Sequence, residues 1–422
     1  MYNLKAALVK PNLIASMILV GVQLLLWKGV STISYTPSKD SPILEAVKVS
    51  HRLQTTLKGH ALKVTSVAIT TDNNHVITGS EDNTIKIWNA KTGELKRTLT
   101  GHTGVVNYLS VTPDGKYIVS GDDKNVKIWN LLTGELIRDL RNPDNKINFI
   151  ETSQDGQTLV MDGGTQIIKN TAVNPANYIY SSEPQQITKY IIGVFNLQTG
   201  TVKSQLVHNN LVTEFKISPS SHILVSGDVK GNLNIWNFQT GTLEKTLTGH
   251  ESEIQYIAIS PDEKTLVSTD KDGKIKIWDL VSGKLKSTFT GHDWQFYLVK
   301  VFIADNNTLI SWNTGSSSLR KTDVKIWNLQ TGEFKYSLNP VKQDNSYLSN
   351  NFDFVKVSPN RKNLITKLNK SIQVWELATG KLQDTIDIQG SILAFSPDAK
   401  MLAAPVEYED NTINIWQIPA HN

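Results

Sequence analysis

The 422-residue sequence predicts an all-β chain built from eight copies of one short unit. Three observations carry this. Short β-branched runs ending in an aromatic residue plus a polar one recur along the chain. Turn residues separate those runs. The aromatic anchors also fall at a repeating interval, which must be settled before domains are counted.

The N-terminal segment comes first. Residues 1–12 carry the free amine, Lys5 and Lys10, and Leu13 to Trp27 then run without a charge. Lys28 can snorkel and seven uncharged residues follow it, so 13–35 is expected to form a membrane-spanning hydrophobic helix. An Ala-x-Ala-like cleavage site does not follow, which favours a signal-anchor over a cleaved signal peptide. The positive groups that precede the stretch keep the N-terminus cytoplasmic and place the body on the non-cytoplasmic side. Secretion after cleavage and a cytoplasmic body are the alternatives. Residues 36–50, with two prolines and mixed charge, read as a linker.

From residue 51 onward the units follow one another. IKIWN ends at Asn89, VKIWN at Asn130, GVFN at Asn196, LNIWN at Asn237, IKIWD at Asp279, VKIWN at Asn328, IQVWE at Glu376 and INIWQ at Gln417. The anchors Trp88, Trp129, Phe195, Trp236, Trp278, Trp327, Trp375 and Trp416 are spaced by 41, 66, 41, 42, 49, 48 and 41 residues. A length prior of ~150 residues per domain would give about three domains; the repeat instead makes 51–422 one. Within a unit, runs such as KVTSVAI, HVITG and TIKIW read as strands. A Ser/Thr-Pro-Asp-type turn follows the first run (112–115, 260–263, 396–399), and a Thr/Ser-Gly turn follows the anchor (Gly93, Gly134, Gly283). Four short strands per unit result.

Composition narrows function. Charged residues are 19% of the chain, and the net charge of +4 resides mostly in the first 50 residues, where five Lys face Asp40 and Glu45. A near-neutral body carries no broad phosphate-binding field, so nucleic acid is not an expected partner. With no cysteine, disulfides, thiolate metal sites and Cys nucleophiles are excluded.

Gly59-His60, Gly101-His102, Gly249-His250, Gly291-His292, the Trp-Asn or Trp-Asp ends and the Ser-Pro-Asp turns resemble the WD-repeat family across 51–422. The resemblance implies an eight-bladed β-propeller, with four-stranded blades around a channel. The chain stops six residues after Trp416, so the last blade lacks an outer strand, while QTTLKGH at 54–60 matches KRTLTGH at 96–102. The N-terminal strand is therefore expected to complete blade eight and close the ring.

The resemblance also gives the histidines a structural role, in buried hydrogen-bond chains. These are expected to be His60–Thr78–Asp82–Trp88, His102–Ser120–Asp123–Trp129 and His250–Ser268–Asp272–Trp278. A Ser–His–Asp set is similar to a hydrolase triad, but its repetition around a ring argues for scaffold. Blade four keeps His208, Ser226 and Trp236 but has Lys230 where the Asp belongs; blade three has Phe195; blades seven and eight lack the corner His. His51, His75, His222 and His421 form no ligand set.

The Asp turn markers place extra residues at 162–188 and 312–322, between second and third strands, and at 339–351, before a first strand. In a propeller these connections share the face of the Gly-His corners. Trp294, Trp312, Arg320, Tyr347 and Tyr408 lie on or beside them and are of the types that dominate binding hot spots, which makes them the candidate partner-binding residues. Tyr178 and Tyr180 lie in the longest insertion. The expected function is a membrane-anchored, non-catalytic scaffold that binds protein partners, with no cofactor, metal or small-molecule substrate. Two readings compete: an exported eight-bladed quinoprotein-like dehydrogenase, whose repeats also contain Thr-Gly turns and Trp, and an exported protein-assembly factor that presents strand edges to clients.

Overall fold

The computed structural model describes residues 52–141, 147–169, 186–292, 298–314, 323–338, 352–358, 361–368, 371–387, 394–398, 400–406 and 409–417, all within the unit Val47–Asn422. The hydrophobic segment at 13–35 and the linker at 36–50 lie outside these residues. Among the described residues no helix is long and apolar enough to cross a membrane.

Strands dominate the described residues, and they form eight four-stranded antiparallel sheets. Blade one sets the pattern, with Val64–Ile69, His75–Ser80, Ile85–Asn89 and Leu95–Leu99 in that order from the inside out. Its two central strands are buried on both faces, and their sequences HVITGS and IKIWN are correspondingly apolar and β-branched. The outer strand LKRTL is exposed except at Leu99. Turn chemistry fixes the connections. Thr70 Oγ1 donates to Asp72 at 2.5 Å, and Thr112, Ser260 and Ser396 repeat the bond with Asp114, Asp262 and Asp398. The polar residue after the Trp has a different task, seen in blade one. Asn89 Oδ1 accepts from the backbone N–H groups of Lys91 and Thr92, each at 2.9 Å, and so caps the next turn. Gly93, in the left-handed region at φ +73°, completes that turn.

Eight apolar clusters, each shared by two neighbouring blades, hold the sheets together. Between blades one and two, Ile77, Ile85, Ile87 and Leu99 pack on Val106, Ile118 and Trp129. The same arrangement recurs at every junction, including the last, where Met401, Ala403, Ile413 and Ile415 of blade eight meet Val64, Val76 and Trp88 of blade one. Ring closure also uses strand pairing between the two ends of the propeller. Arg52–Lys58 pairs antiparallel with Glu409–Gln417, from Arg52↔Gln417 to Lys58↔Thr412, and supplies the outer strand of blade eight. Leu57 is buried in the same closing cluster.

Blade three departs from the common dimensions. Its second strand runs Thr158–Lys169 and its third Gln186–Asn196. They pair from Thr158↔Asn196 to Lys169↔Gln186 with one bulge between Asp162 and Gly164. The enlargement read at 162–188 thus begins as a β-ribbon that prolongs the two central strands; residues 170–185 lie outside the described set.

Candidate protein-interaction face

The corner histidines sit in the connections that lead from one blade to the next. In blade one, His60 Nε2 is 2.7 Å from Thr78 Oγ1 and Nδ1 is 2.9 Å from Asp82. Trp88 Nε1–H donates to the same threonine oxygen at 2.8 Å. With that oxygen accepting from Trp88, the hydroxyl proton goes to His60 Nε2, which leaves Nδ1–H for the carboxylate. This direction requires a neutral imidazole. Burial does lower the His60 pKa, against the opposing pull of Asp82. Burial alone would raise Asp82, but bonds from Thr84, His60 and the Ala61 and Thr84 amides outweigh it and hold the carboxyl well below its usual range. Every polar atom of the chain is matched, so it pins the outgoing and incoming connections of the corner together.

Blades two and five contain the same chain with different acids from those the spacing suggested. His102 Nδ1 bonds Asp122 at 2.8 Å, not Asp123, and Nε2 bonds Ser120 at 2.7 Å, where Trp129 donates at 2.8 Å. His250 Nδ1 bonds Asp270 at 2.7 Å, not Asp272, with Ser268 at 2.7 Å and Trp278 donating at 2.9 Å. The reason is local. The carboxylate that reaches the ring stands two residues after the Ser, at the end of the second strand. Asp123 and Asp272 lie one and two residues further on, and their neighbours turn back on Asp122 and Asp270: the Lys124 and Asp272 amides donate to those carboxylates.

Blade six has a fourth complete chain. His292 Nδ1 is 2.6 Å from Asp323 and Nε2 is 2.8 Å from Ser311, to which Trp327 donates at 2.8 Å. The enlargement between Ser311 and Asp323 hid this set from a fixed-spacing reading. Blade four lacks the His–Asp bond: His208 keeps Ser226 at 2.7 Å, but its Nδ1 turns to the Leu206 carbonyl at 3.0 Å. Asp228 is present there and accepts instead from Asn210, Asn232 and the Lys230 amide. In blade seven, Trp375 donates to Thr366 at 2.8 Å without a histidine.

One candidate binding residue moves into the core. Trp312 is 8% exposed and packs with Ala304, Ile326, Val355 and Leu364 between blades six and seven. It lies on the strand Thr308–Thr314, opposite Lys300 and Val324. At the matching position blades one, two and four have Gly79, Gly121 and Gly227, against which Val106, Ile150 and Ile254 of the next blade press. Trp312 fills that junction in blade six with its own ring. Trp294, Arg320, Tyr347 and Tyr408 lie outside the described residues. Leu62 and Leu211, 52% and 48% exposed, are apolar side chains in the corner connections of blades one and four. Their isolated places in polar loops gave no sequence signal.

The innermost strands carry a second polar set. Lys216 pairs with Glu151, and Lys300 Nζ stands 5.6 Å from the centre of the Tyr256 ring. Burial pushes the Glu214 carboxyl up to about 7, although the Phe215 amide and Lys216 oppose the shift. Among the described residues no group of three or more His, Asp or Glu is placed to hold a metal ion.

The family described as "WD domain, G-beta repeat" matches at 51–89, 93–130, 200–237 and 241–279. Those segments, in the eight-bladed ring already described, decide the assignment. The chain belongs to the WD-repeat propeller family. The four matched WD repeats end at blades one, two, four and five and contain the corner histidines His60, His102, His208 and His250. Ribosome assembly protein 4 of Chaetomium thermophilum is 36% identical over 87 residues, 20% of this chain and 16% of that protein. Pre-mRNA-splicing factor PRP46 of Saccharomyces cerevisiae is 41% identical over 70 residues, 16% of each. The matches thus span less than a fifth of either relative. The computationally designed Ika8 protein superposes with a TM-score of 0.65 at 25% identity, covering 86% of this WD-repeat chain and 98% of its own.

Proposed function

We propose that this WD-repeat propeller is a non-catalytic scaffold that binds protein partners through the face bearing the Gly-His corners. One observation carries the reading: the enlarged connections at 162–188, 312–322 and 339–351 all join strands on the corner side, while the opposite hairpins keep short Asp-capped turns. The two connection types share a face because antiparallel strand order returns both to the same end of a blade, where the Asp82 turn is bonded to the His60 corner. Loops on a rigid frame are where binding concentrates. The four polar chains repeat around the ring, which supports a scaffold role for their Ser, His and Asp. The Leu13–Trp27 stretch would anchor the scaffold in a membrane with the propeller on the non-cytoplasmic side.

The test is affinity capture with the intact anchored chain, followed by quantitative binding of the captured partner. Trp294→Ala, Arg320→Ala, Tyr347→Ala and Leu62→Ser should each leave melting unchanged, and a hot spot among them should weaken binding at least about thirtyfold, ~2 kcal/mol. Unchanged affinity in all four would move the binding surface off this face. Added protease should digest the propeller in permeabilised outer barriers with the inner membrane intact; full protection would reject the topology.

A further inference from the structure

We infer that two copies of this chain join edge to edge through the blade-three ribbon, along residues 164–169. Inside the blade, Thr158–Lys169 is flanked by the innermost strand Ile150–Thr152, but that pairing ends at Ile150↔Met161. The Phe149 carbonyl takes the Asp162 amide, and the chain then turns away, since the Ile147 amide bonds Asp123 of blade two. On the other side, Val202–His208 covers Gln186–Asn196 only as far as Tyr190↔His208. Among the described residues, 164–169 pair only with Gln186–Ile191, and from Gln166↔Lys189 to Lys169↔Gln186 the two strands pair with each other alone.

A two-stranded ribbon is marginal in water, and three or more strands are the usual minimum for stability. Its edges, unpaired among the described residues, present N–H and C=O groups that are complementary to one kind of occupant, an extended strand. The other free edges of the ring are protected. Each outer strand carries at least one charged residue, such as Lys96 and Arg97 in blade one, Glu244 and Lys245 in blade four or Lys286 in blade five. The ribbon edge Gly164-Thr165-Gln166-Ile167-Ile168-Lys169 has no charge before its last residue and no proline. The opposite edge is shorter and carries Lys189, which is bonded to Asn209. The first edge is therefore the open one.

Its sequence suits a second copy of itself. Antiparallel pairing centred on Ile167 sets Ile167 opposite Ile167 of the second copy, Gln166 opposite Ile168 and Thr165 opposite Lys169. The two lysines then lie at opposite ends, about 13 Å apart at ~3.3 Å per residue. A two-fold contact of this kind uses the same edge on both copies and closes on itself. The product is a continuous four-stranded sheet linking two propellers.

The experiment is sedimentation equilibrium of the full chain in mild detergent across a concentration series. The unaltered chain should shift from one-chain to two-chain mass at micromolar concentration. A variant in which 166–189 is replaced by Asn-Gly keeps the Thr165↔Tyr190 pair and restores an ordinary hairpin; it should melt normally and stay at one-chain mass, weakening association at least about 100-fold. Gln166→Pro and Ile167→Pro give a finer control. Successive N–H groups point to opposite sides of a strand, so one of these prolines removes only an outward donor. That variant should be monomeric with unchanged melting. A single-chain mass for the unaltered protein up to about 100 µM, or a two-chain mass retained by the trimmed variant, would overturn the inference, as would both proline variants associating as tightly as the parent.

Discussion

His208 gives its Nδ1 proton to the backbone carbonyl of Leu206, 3.0 Å away and on the same strand. In four other blades the equivalent proton goes to an aspartate. A carboxylate stabilises the imidazolium form and a carbonyl does so less, so His208 is the corner histidine with the largest described depression. Burial lowers its pKa to about 4, with bonds to Leu206 and Tyr190 opposing.

The pH dependence follows in sign. The unfolded ring binds a proton near pH 6.5, whereas the folded ring resists it until about pH 4. Its contribution to stability is complete above pH 6.5 and is lost as pH falls through that window, on the order of 3 kcal/mol in total. Urea midpoints measured from pH 7.5 to pH 4 should fall in the parent and fall less steeply in His208→Gln. Parallel slopes would place the acid sensitivity elsewhere in the ring.

Glu214 acts in the opposite direction. Its folded pKa is raised from 4.5 to about 7 by burial, so its contribution is present below pH 4.5 and is lost as pH rises through 7. The two groups therefore oppose each other over much of the same range and flatten the profile of the parent. Glu214→Gln removes the cost of the buried charge. The variant should be more stable than the parent at pH 8, by on the order of 3 kcal/mol, and equal to it near pH 4.5. Its acid limb should be steeper, with the histidine contribution exposed. A stability difference independent of pH would assign Glu214 a packing role instead.

Trp312 separates packing from hydrogen bonding. Its ring fills the junction between blades six and seven, but among the described residues its buried Nε1–H has no hydrogen-bond partner. Trp312→Ala should cost ~3–5 kcal/mol through the cavity it leaves, whereas Trp312→Phe keeps most of the ring and removes an unmatched buried donor. The phenylalanine variant should therefore melt within a few degrees of the parent. Trp327→Phe is the contrasting case, because the Trp327 donor is bonded to Ser311; it should cost ~1–3 kcal/mol. Equal losses for the two phenylalanine variants would show that ring volume alone decides.

The frame was legible in the sequence wherever one residue type is required. Only Trp offers a large apolar ring with a donor at the depth of Thr78 or Ser120, and the turn after it takes Asn or Asp in five of the Trp-anchored blades and Gly in its left-handed position, so anchors and turns repeat visibly. The acid that meets each histidine was not legible. A carboxylate reaches the ring from the end of the second strand, as Asp122 and Asp270 do, or from the turn beyond it, as Asp82 does. Adjacent acids make these alternatives equivalent by spacing. Asp323 arrives just before the third strand, across an insertion that moves it out of any fixed count. Trp312 was misplaced for a related reason: its neighbours in sequence resemble loop, while its register puts it where other blades use glycine.

Closure of the ring gives the last expectation. The strand Arg52–Lys58 is the N-terminal partner of Glu409–Gln417, and Thr56 Oγ1 donates to Asn414 at 2.7 Å across the seam. Removing residues 51–58 would take Leu57 out of the cluster that joins blade eight to blade one and leave Glu409–Gln417 as an open edge. Neighbouring blades stabilise one another in a repeat array, so the loss should spread beyond blade eight. The shortened chain should unfold at lower temperature, in a broader transition, and should aggregate through the exposed strand. A synthetic peptide of residues 51–58 supplied in trans should restore part of the cooperativity if the strand acts by pairing. Leu57→Asp offers the same test in the intact chain, since a charge in the closing cluster should open the seam while leaving the backbone ladder available. Unchanged melting of both variants would mean that the eight apolar junctions hold the ring without its outer clasp.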